Sequence, residues 1–596
     1  MKQWVAEQLA WQLESPAGVV VLLDPDEALD EADVADISEH IEVARAVSWA
    51  ELRRLWDIEV RAAPAPRHLA VIVCDPEMPF VQDLPWDIEH DADVTLRMRW
   101  PVPQKLRRML RLAGEGADAL VAASRRHPHT EAAIADAYDF RVGDATSELD
   151  AVARLRLDAG TPQEVWIAVA SIVATPLAKQ IASASGAIEP LQTAWSEWLA
   201  LGDAAEHAAA LRGSPRAVLA LLGAGLLGPS PATADGLPNW VSVGTSDPDP
   251  ELVITELLAG QPAQARTLSE WIEVASWWGH VRGTLASNPT IDNREHAAWV
   301  AWDAVDAAFG SWLQSSYGAS LLSAAITPRS VHQIAPFLSR RVDEGASVLL
   351  IVIDGLAFAQ WHRLRMLAGL RVLESTACLA MIPTLTSISR QAIFAGDLPA
   401  AFEDTIGTTS AEERRWKAFW VEHGINDRLV KFSKTVGRDT KDVPTLSGRV
   451  EAVIINAVDE LLHAAEVLGD PQVAGGVELW ARTGFLRELV TQATSKGYET
   501  WVTADHGNLP TLPGPVPREG DTVESAGTRV RLYPNETLRA GASDYGDVWD
   551  PPVLPISWLK PLFAPGRRGF HVSGVRVSHG GLSIDEVIVP FARVTV

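Results

Sequence analysis

Two apolar runs near the start of the chain share one pattern. GVVVLLDPDEAL (18–29) and LAVIVCDPEMPF (69–80) are rich in β-branched residues, and each run ends at an Asp-Pro pair. Continuous apolar runs of this length predict buried parallel strands joined by a helical crossover. We therefore expect a small α/β domain over residues 1–104. A functional role stays open for the strand-ending Asp24 and Asp75, although an Asp-Pro pair most simply ends a strand.

The following pattern is helical. Residues 105–335 place apolar residues at helical spacing among Ala, Leu, Glu and Arg, as in EAAIADAYDF and AVLALLGAGLL. This spacing predicts a mainly helical middle region, with a loop at the Pro-, Gly-, Ser- and Asp-rich stretch 228–251. The region offers neither an internal repeat nor a set of catalytic residues, and its acidic surface suits it to docking partners.

A third pattern occupies residues 336–596. SVLLIVIDGLAFAQW (347–361) and TWVTADHG (500–507) each contain a continuous apolar strand with an acidic residue at its C-terminal end. Buried parallel strands have this composition, and ligands bind at the carboxyl ends of such strands. The pattern predicts an α/β fold with a mostly parallel sheet flanked by helices. Its candidate functional residues should meet at one edge of that sheet.

Composition narrows the classes of function. The net charge of -26 disfavours capture of nucleic acid over a broad surface, so an anionic substrate must be held locally, for which bound divalent cations are the natural means. Only Cys74 and Cys378 are present, which excludes a disulfide framework and a cysteine-rich zinc site. The N-terminal residues lack the apolar core of a secretion signal, and no apolar run reaches the roughly 20 residues of a membrane span. We expect a cytoplasmic protein.

Four segments carry side chains that bind metals. Two are the strand ends, one is a predicted helix (455–469) with an Asp and a His four positions apart on one face, and one is a His before Gly-Gly and the last apolar strand. Carboxylate and imidazole groups together suit Zn²⁺ or Mn²⁺. Each segment alone also has a plainer explanation, as a strand-ending cap, an exposed ion pair or a loop histidine. The candidates are Asp354, Asp505, His506, Asp459, His463 and His579.

Hydroxyl side chains cluster in PTLTSISRQAIFAGDLP (383–399). Thr386, Ser387 and Ser389 stand at the start of a predicted helix, where free N–H groups and the helix dipole favour a phosphate. One of them could supply a nucleophile, but ordinary N-capping explains the pattern as well. Arg390, one turn further on, could touch a phosphate or be a solvated helix residue.

The order of these residues along the chain resembles that of the metal ligands in the alkaline-phosphatase superfamily. Several blocks are also similar to those of the PglZ family of bacterial phage-defence proteins. The likeness covers residues 336–596 well and the first half only loosely, through LPWDI (84–88), and no ligand type of the pattern is missing. The similar blocks are VIDGLAFAQW, PTLTSISRQAIFAG, KAFWVEHG, INAVDELLH, TADHGN and SHGGLSIDEVIVPF.

This resemblance implies an alkaline-phosphatase-like core with two divalent metal ions, for which Zn²⁺ is favoured and Mn²⁺ or Mg²⁺ are alternatives. It also implies that Thr386 is the nucleophile, because nucleophiles of the superfamily lie ten residues before a glycine and Gly396 stands at that distance. One ion would be held by Asp354, Thr386, Asp505 and His506, and the other by Asp459, His463 and His579.

The resemblance further implies a metal-dependent phosphoryl hydrolase that works in phage defence. We favour a phosphodiesterase or nuclease acting on a nucleotide or nucleic acid. A phosphomonoesterase is the near alternative, and a non-catalytic scaffold with a structural metal site is the alternative from another class. The partners implied are other phage-defence proteins, among them a methyltransferase and ATPases.

One segment reverses the acidic character of the chain. Residues 414–449 carry nine Lys or Arg against four acids, within a possible basic cap over residues 400–450. Lys431 and Lys434 are candidates to bind substrate. Trp416 and Trp420 could stack on bases, although a buried helix face explains them equally well. The alternative to a cap is a solvated basic helix that balances nearby acids.

Overall fold

The computed structural model divides the chain into two compact units, residues 1–142 with 162–172 and residues 143–161 with 173–596. The predicted boundaries at 104/105 and 335/336 stay predictions. The structure describes residues 18–24, 41–46, 48–61, 68–74, 84–92, 94–97, 123, 130–158, 161, 163–245, 249–261, 265–289, 292–322, 327–464, 469–517, 525–526, 528–552, 554–555 and 557–596. Within these residues, no helix is both long and apolar enough to cross a bilayer.

The first unit contains a parallel sheet built from the apolar runs. Its strand order is β2-β3-β1-β4, and the predicted parallel pairing of the runs around 19 and 69 is confirmed by the register Val19↔Leu69. Asp24 follows β1 and is buried, and its N–H donates to the Val73 carbonyl; Asp75 lies outside the described residues. The elements are β1 (Val19–Leu23), β2 (Ile41–Ala46), α1 (Trp49–Leu55), a π-helix (Trp56–Arg61), β3 (His68–Val73), α2 (Trp86–Asp91), β4 (Val94–Arg97), α3 (Thr130–Ala137) and α5 (Gln163–Ala170).

Helices fill the part of the second unit that precedes its main sheet, as the apolar spacing predicted. Trp195, Trp198, Trp278 and Trp302 are fully buried among them, so these tryptophans are core residues. The stretch 228–251 contains a 3₁₀-helix, Asn239–Gly244, where we predicted a loop. The helices are α4 (Ala145–Leu157), α6 (Pro176–Ser183), α7 (Glu189–Leu201), α8 (Ala208–Gly213), α9 (Pro215–Ala224), α10 (Pro250–Ala259), α11 (Leu268–Ser287) and α12 (Asp292–Leu322).

The main sheet of the second unit is mostly parallel, as predicted. Its order is β6-β17-β9-β5-β8-β7, in which β7, β8, β5 and β9 run parallel and β17 is antiparallel to β6 and β9. The six strands are β5 (Ser347–Ile353), β6 (Arg371–Leu379), β7 (Val430–Thr435), β8 (Val450–Ile455), β9 (Tyr498–Thr503) and β17 (Ile588–Thr595).

The register of the parallel strands decides where the candidate residues lie. Ile353 and Thr435 both pair with Ile455, and Val352 pairs with Thr503. The carboxyl ends of four strands therefore align, which is the expected position of a ligand site in an open parallel sheet. Helices around this sheet are α13 (Ile334–Asp343), α14 (Phe358–Leu367), α15 (Thr386–Ala395), α16 (Glu412–Glu422), α17 (Ala457–Ala464), α18 (Asp470–Arg482) and α19 (Phe485–Ser495).

Short strands and helices form the rest of the unit. Two small sheets have the orders β15-β10-β16 and β11-β12-β14-β13 in the part that the structure describes. The elements are β10 (Leu509–Pro513), β11 (Ser525–Ala526), β12 (Val530–Tyr533), α20 (Glu536–Ala540), β13 (Asp547–Val548), β14 (Lys560–Phe563), β15 (Arg568–Gly569), β16 (Arg576–Ser578) and α21 (Ile584–Val587).

The basic segment 414–449 supplies helix α16 and the edge strand β7 of the main sheet. Trp416 and Trp420 are fully buried, and the Trp416 indole N–H donates to the Lys431 carbonyl, so stacking on bases is excluded and the buried helix face is the correct explanation. Lys431 and Lys434 lie three positions apart in β7, so they project from opposite faces of the strand. They do not form one basic surface.

Candidate metal centre

Asp354 and Asp505 lie buried at the aligned strand ends, each with one carboxylate oxygen held and one without a donor. Asp354 Oδ2 accepts from Arg390 Nη1 (2.6 Å), and Asp505 Oδ1 accepts from the Gly355 N–H (3.1 Å). Asp354 Oδ1 and Asp505 Oδ2 have no hydrogen-bond partner among the described residues. Buried carboxylate oxygens without a partner are costly, and a bound cation would satisfy both.

His506 completes this group. Its Nε2 lies 3.8 Å from Asp354 Oδ1 and 3.5 Å from Asp505 Oδ2, the two oxygens without a donor. Nδ1 lies 3.0 Å from the Gly507 carbonyl, to which it can only donate. That hydrogen bond fixes the tautomer in which Nε2 carries a lone pair, as in many histidines that bind metals.

Thr386 opens helix α15 beside this histidine. Its Oγ1 lies 3.0 Å from His506 Nε2, and its backbone N–H precedes the first internal hydrogen bonds of the helix. Ser389 instead is fully buried, with Oγ accepting from the Met381 N–H (3.1 Å), which gives it a structural role. The choice of Thr386 over Ser387 stays a prediction, but Thr386 is the hydroxyl whose contact to a candidate metal ligand is seen.

These groups fit a divalent ion. Ligand atoms of Asp354, Asp505 and His506 all lie within 4.8 Å of one another. Four ligands at zinc distances in a tetrahedron lie about 3.3 Å apart, close to the 3.0, 3.5 and 3.8 Å found from His506 Nε2 to Thr386, Asp505 and Asp354. Two carboxylates, an imidazole and a hydroxyl suit Zn²⁺ or Mn²⁺.

Burial determines the protonation of the group. Burial, followed by the nearby Asp505 carboxylate, raises the pKa of Asp354 well above its ordinary value, and burial raises the pKa of Asp505 to about 6. Burial also lowers the pKa of His506, and it lowers the pKa of His579 to about 3 with His506 adding to the effect. The imidazoles are therefore neutral, the form that binds metals.

His579 stacks on His506, with ring centroids 3.9 Å apart and planes inclined by 13°. Its Nδ1 donates to the Thr384 carbonyl (2.9 Å), which leaves Nε2 as the acceptor. Thr384 also accepts from the Gly580 N–H and donates to the Gly581 carbonyl through Oγ1. A residue two positions before Thr386 thus fixes the loop that carries His579.

Asp459 and His463 lie on helix α17, as the spacing predicted, and the Oδ1–Nε2 distance is 3.5 Å. The Asp459 carboxylate adds to the raised pKa of Asp354 and opposes the lowering of the pKa of His579. His463 is 66% exposed. Of the described residues, only the group around Asp505 brings three ligands within 4.8 Å, so the second ion and its ligand set stay a prediction.

Arg390 is buried and paired with two carboxylates. Its Nη1 and Nε donate to Asp354 and to Glu412 Oε1 (2.7 Å). Glu412 Oε2 in turn forms a 2.5 Å ion pair with Lys434 Nζ. Of the two alternatives for Arg390, a phosphate contact or a solvated helix arginine, the second is therefore wrong. Arg390 and Lys434 are engaged by carboxylates, and a substrate contact by either, or by Lys431, remains a prediction.

Sequence reasoning missed residues that support the centre, among them Glu412, Thr384 and Asn508. Asn508 is fully buried, and its Nδ2 donates to the Gly355 carbonyl (2.7 Å). The polar residue directly after Asp-His-Gly was a signal for it. Gly507 itself is required, because an added Cβ would lie 1.9 Å from the Asp585 carbonyl oxygen.

A parallel sheet whose strand ends carry a metal-ligand group next to a hydroxyl at a helix N-terminus places this unit among the alkaline-phosphatase-like domains. Residues 331–594 match the family model of the BREX system PglZ alkaline phosphatase-like domain. The likeness to the PglZ family is therefore found in this part of the chain.

Solved structures show weaker likenesses. Phosphonoacetate hydrolase from Sinorhizobium meliloti 1021 is 12% identical with a TM-score of 0.30, over 42% of this chain and 89% of that chain. Human ectonucleotide pyrophosphatase/phosphodiesterase 5 is 9% identical with a TM-score of 0.28, over 42% of this chain and 87% of that one. At these scores neither likeness bears on the substrate. No curated protein matches the chain.

Proposed function

We propose that this protein is a metal-dependent phosphoryl hydrolase with Thr386 as nucleophile. The observation that carries the proposal is the 3.0 Å contact between Thr386 Oγ1 and His506 Nε2, beside two buried carboxylate oxygens that have no donor. A hydroxyl with a purely structural role would not need this position. A nucleophile would need it, because a nucleophile must lie both at the cation and at a helix N-terminus.

Bound divalent ions would lower the pKa of the Thr386 hydroxyl and stabilise charge on the phosphoryl oxygens. Thr386 Oγ1, its proton lost to solvent, attacks phosphorus and a phosphothreonine forms. The bond to the leaving alkoxide breaks, and the alkoxide takes a proton from water. Water then attacks from the opposite side and releases Thr386. The Thr386 and Ser387 N–H groups at the start of α15 would hold phosphoryl oxygens.

We propose two ions, the second held by Asp459, His463 and His579, and a phosphodiester or nucleic-acid substrate. The 3.5 Å contact between Asp459 Oδ1 and His463 Nε2 on one face of α17 supports the second set. The family description supports work in a BREX-type phage-defence system. We further propose that the chain works alongside other defence proteins, among them a methyltransferase and ATPases.

The test combines elemental analysis with hydrolysis of a bis-aryl and a mono-aryl phosphate by the full chain. We expect about two ions per chain and chelator-sensitive hydrolysis that prefers the diester and is lost in Thr386→Ala. Preference for the monoester would make the protein a phosphomonoesterase. A folded, metal-loaded chain that hydrolyses neither would be a scaffold, and a chain without metal after growth in zinc and manganese would overturn the metal centre.

A further inference from the structure

Helix α11 lies outside the region that matches the family model, yet one of its residues contacts the turns of the metal centre. Arg282 is 1% exposed, and all five of its N–H donors are used. Nε and Nη2 donate to the two Asp470 oxygens (2.8 and 2.7 Å), and Nη1 donates to Asp585 Oδ1 (2.9 Å). The remaining two bonds go to Asn508, from Nη1 to its carbonyl (2.6 Å) and from Nη2 to its Oδ1 (2.8 Å).

Asn508 connects Arg282 to both turns that carry candidate ligands. It stands three residues after Asp505, and its Nδ2 donates to the carbonyl of Gly355, which directly follows Asp354. Gln360 at the start of α14 makes two further bonds to the same amide, each 3.1 Å. One buried amide therefore bridges the two turns.

Helices α11 and α14 pack at close range next to Arg282. A Cβ added at Gly283, next to Arg282, would lie 2.8 Å from the Ala359 carbonyl oxygen. Arg282 is also fully neutralised, because Asp470 and Asp585 flank it. Its charge is therefore not free to bind a phosphate, and its role at the site is geometric.

We propose that Arg282 is a positioning residue for the metal centre, which acts through Asn508 to hold the Asp354 and Asp505 turns at ligand distance. The inference rests on the proposed function for the presence of the metal. It makes helix α11 a working part of the catalytic unit, whereas the sequence suggested a role for the helical region in docking partners only.

The test compares Arg282→Lys with Arg365→Lys in the full chain. Arg365 is a matched control: it is buried in α14 and also bridges to the helical region, through Nη2 bonds to the Leu222 and Gly223 carbonyls, but it does not touch the turns. Lysine loses the fork of donors at either position. At position 282 it keeps its charge, because Asp470 and Asp585 flank it. Zinc affinity is measured by titration, and Co²⁺ absorption reports the ligand geometry.

We expect Arg282→Lys to weaken zinc binding by about 10- to 100-fold and to change the Co²⁺ spectrum, since removal of an outer partner typically costs that much. Arg365→Lys should bind zinc like the wild type even if its melting temperature falls equally. Equal zinc affinity in wild type and Arg282→Lys would overturn the proposal while leaving the proposed function in place.

If Arg282→Lys does not fold, Asn508→Ala decides, because it leaves Arg282 paired with both aspartates and cuts the link to Gly355. The rise in melting temperature on adding zinc should then be smaller than in the wild type, and an unchanged rise would overturn the proposal. A wild-type chain that binds zinc but hydrolyses no phosphate ester would count against the proposed activity and not against the positioning role.

Discussion

Arg390 Nη1 donates to Asp354 Oδ2 over 2.6 Å, and this contact leaves Asp354 Oδ1 as the oxygen without a donor. The same guanidinium donates to Glu412, which is paired with Lys434. A chain of alternating charges thus runs from a partly exposed lysine to a candidate metal ligand. Such outer partners orient a ligand and set its affinity for the metal.

Arg390→Lys should therefore weaken zinc binding by about 10- to 100-fold, because lysine cannot reach both carboxylates in the same geometry. KM for a small phosphodiester should change little once zinc is saturating. Arg593→Lys is the control, since Arg593 also pairs with two carboxylates, Glu374 and Glu499, away from the site. Normal zinc affinity combined with a raised KM would make Arg390 a phosphate ligand instead.

Thr386→Ala should remove turnover by on the order of 10³-fold or more while most metal is retained, because a nucleophile is lost and the carboxylate and histidine ligands remain. Ser387→Ala should be milder. Ser389→Ala should cost about 1–3 kcal/mol of stability, because the buried Met381 N–H loses its acceptor. Rate and melting temperature are measured on all three. Full activity in Thr386→Ala with loss in Ser387→Ala would show that Ser387 is the nucleophile.

Metal stoichiometry separates one ion from two. Asp505→Asn should abolish most metal binding, because it alters the group whose ligands lie within 4.8 Å. His463→Ala should reduce the content by about one ion per chain and leave the other bound. Inductively coupled plasma analysis of the purified variants measures both. Wild-type stoichiometry in His463→Ala would remove that residue from the ligand set.

Zinc affinity should rise with pH. Burial raises the pKa of both carboxylate ligands, that of Asp354 well above its ordinary value and that of Asp505 to about 6, so at low pH a proton must leave each before a cation binds, which is worth up to about tenfold per pH unit for each proton. His579, with a pKa lowered to about 3, is neutral throughout. Titrations between about pH 5 and 7 test this, and a flat profile would contradict it.

The raised pKa of Asp505 also makes the stability of the metal-free protein depend on pH, and this stability falls as pH rises. Folded Asp505 keeps its proton to about pH 6, whereas the unfolded carboxyl releases it near its ordinary 3.8. The folded state binds more protons in this interval, so the contribution of Asp505 to the free energy of unfolding is present below it and is lost as pH rises through 6. Thermal unfolding in chelator across this range, with Asp505→Asn as control, measures the effect.

Arg438→Glu should impair cleavage of oligonucleotides but not of a small aryl diester. Arg438 is 76% exposed, follows the end of β7 at the same edge as the site, and lies 4.0 Å from Glu460, the neighbour of Asp459. The slope of affinity against salt should fall by about one. Arg428→Glu is the matched control, since Arg428 is exposed before the start of β7. Equal effects of both variants would leave the segment without a specific role in binding.

Local pattern was enough for the elements that place the centre. The apolar runs around 347 and 500 indicated parallel strands, and an acid after each strand indicated one shared edge, because carboxyl ends of parallel strands must align. The hydroxyls at the start of α15 followed from the same kind of signal. These inferences hold because strand composition and helix starts depend on neighbouring residues.

Tertiary packing decided the rest. The position of Arg390 in a helix is compatible with a solvated side chain as well as with a phosphate contact. Its side chain is buried only because α15 packs against Glu412 and Asp354. From the sequence, Trp416 could stack on bases or lie in a core, and its burial against β7 shows that it lies in a core. Arg282 and Asn508 are separated by 226 residues, so no spacing in the sequence could join them. Their contact exists because two helices and two turns pack at close range. Such packing depends on the shapes of surfaces that meet only in the folded chain, so residue order does not predict it.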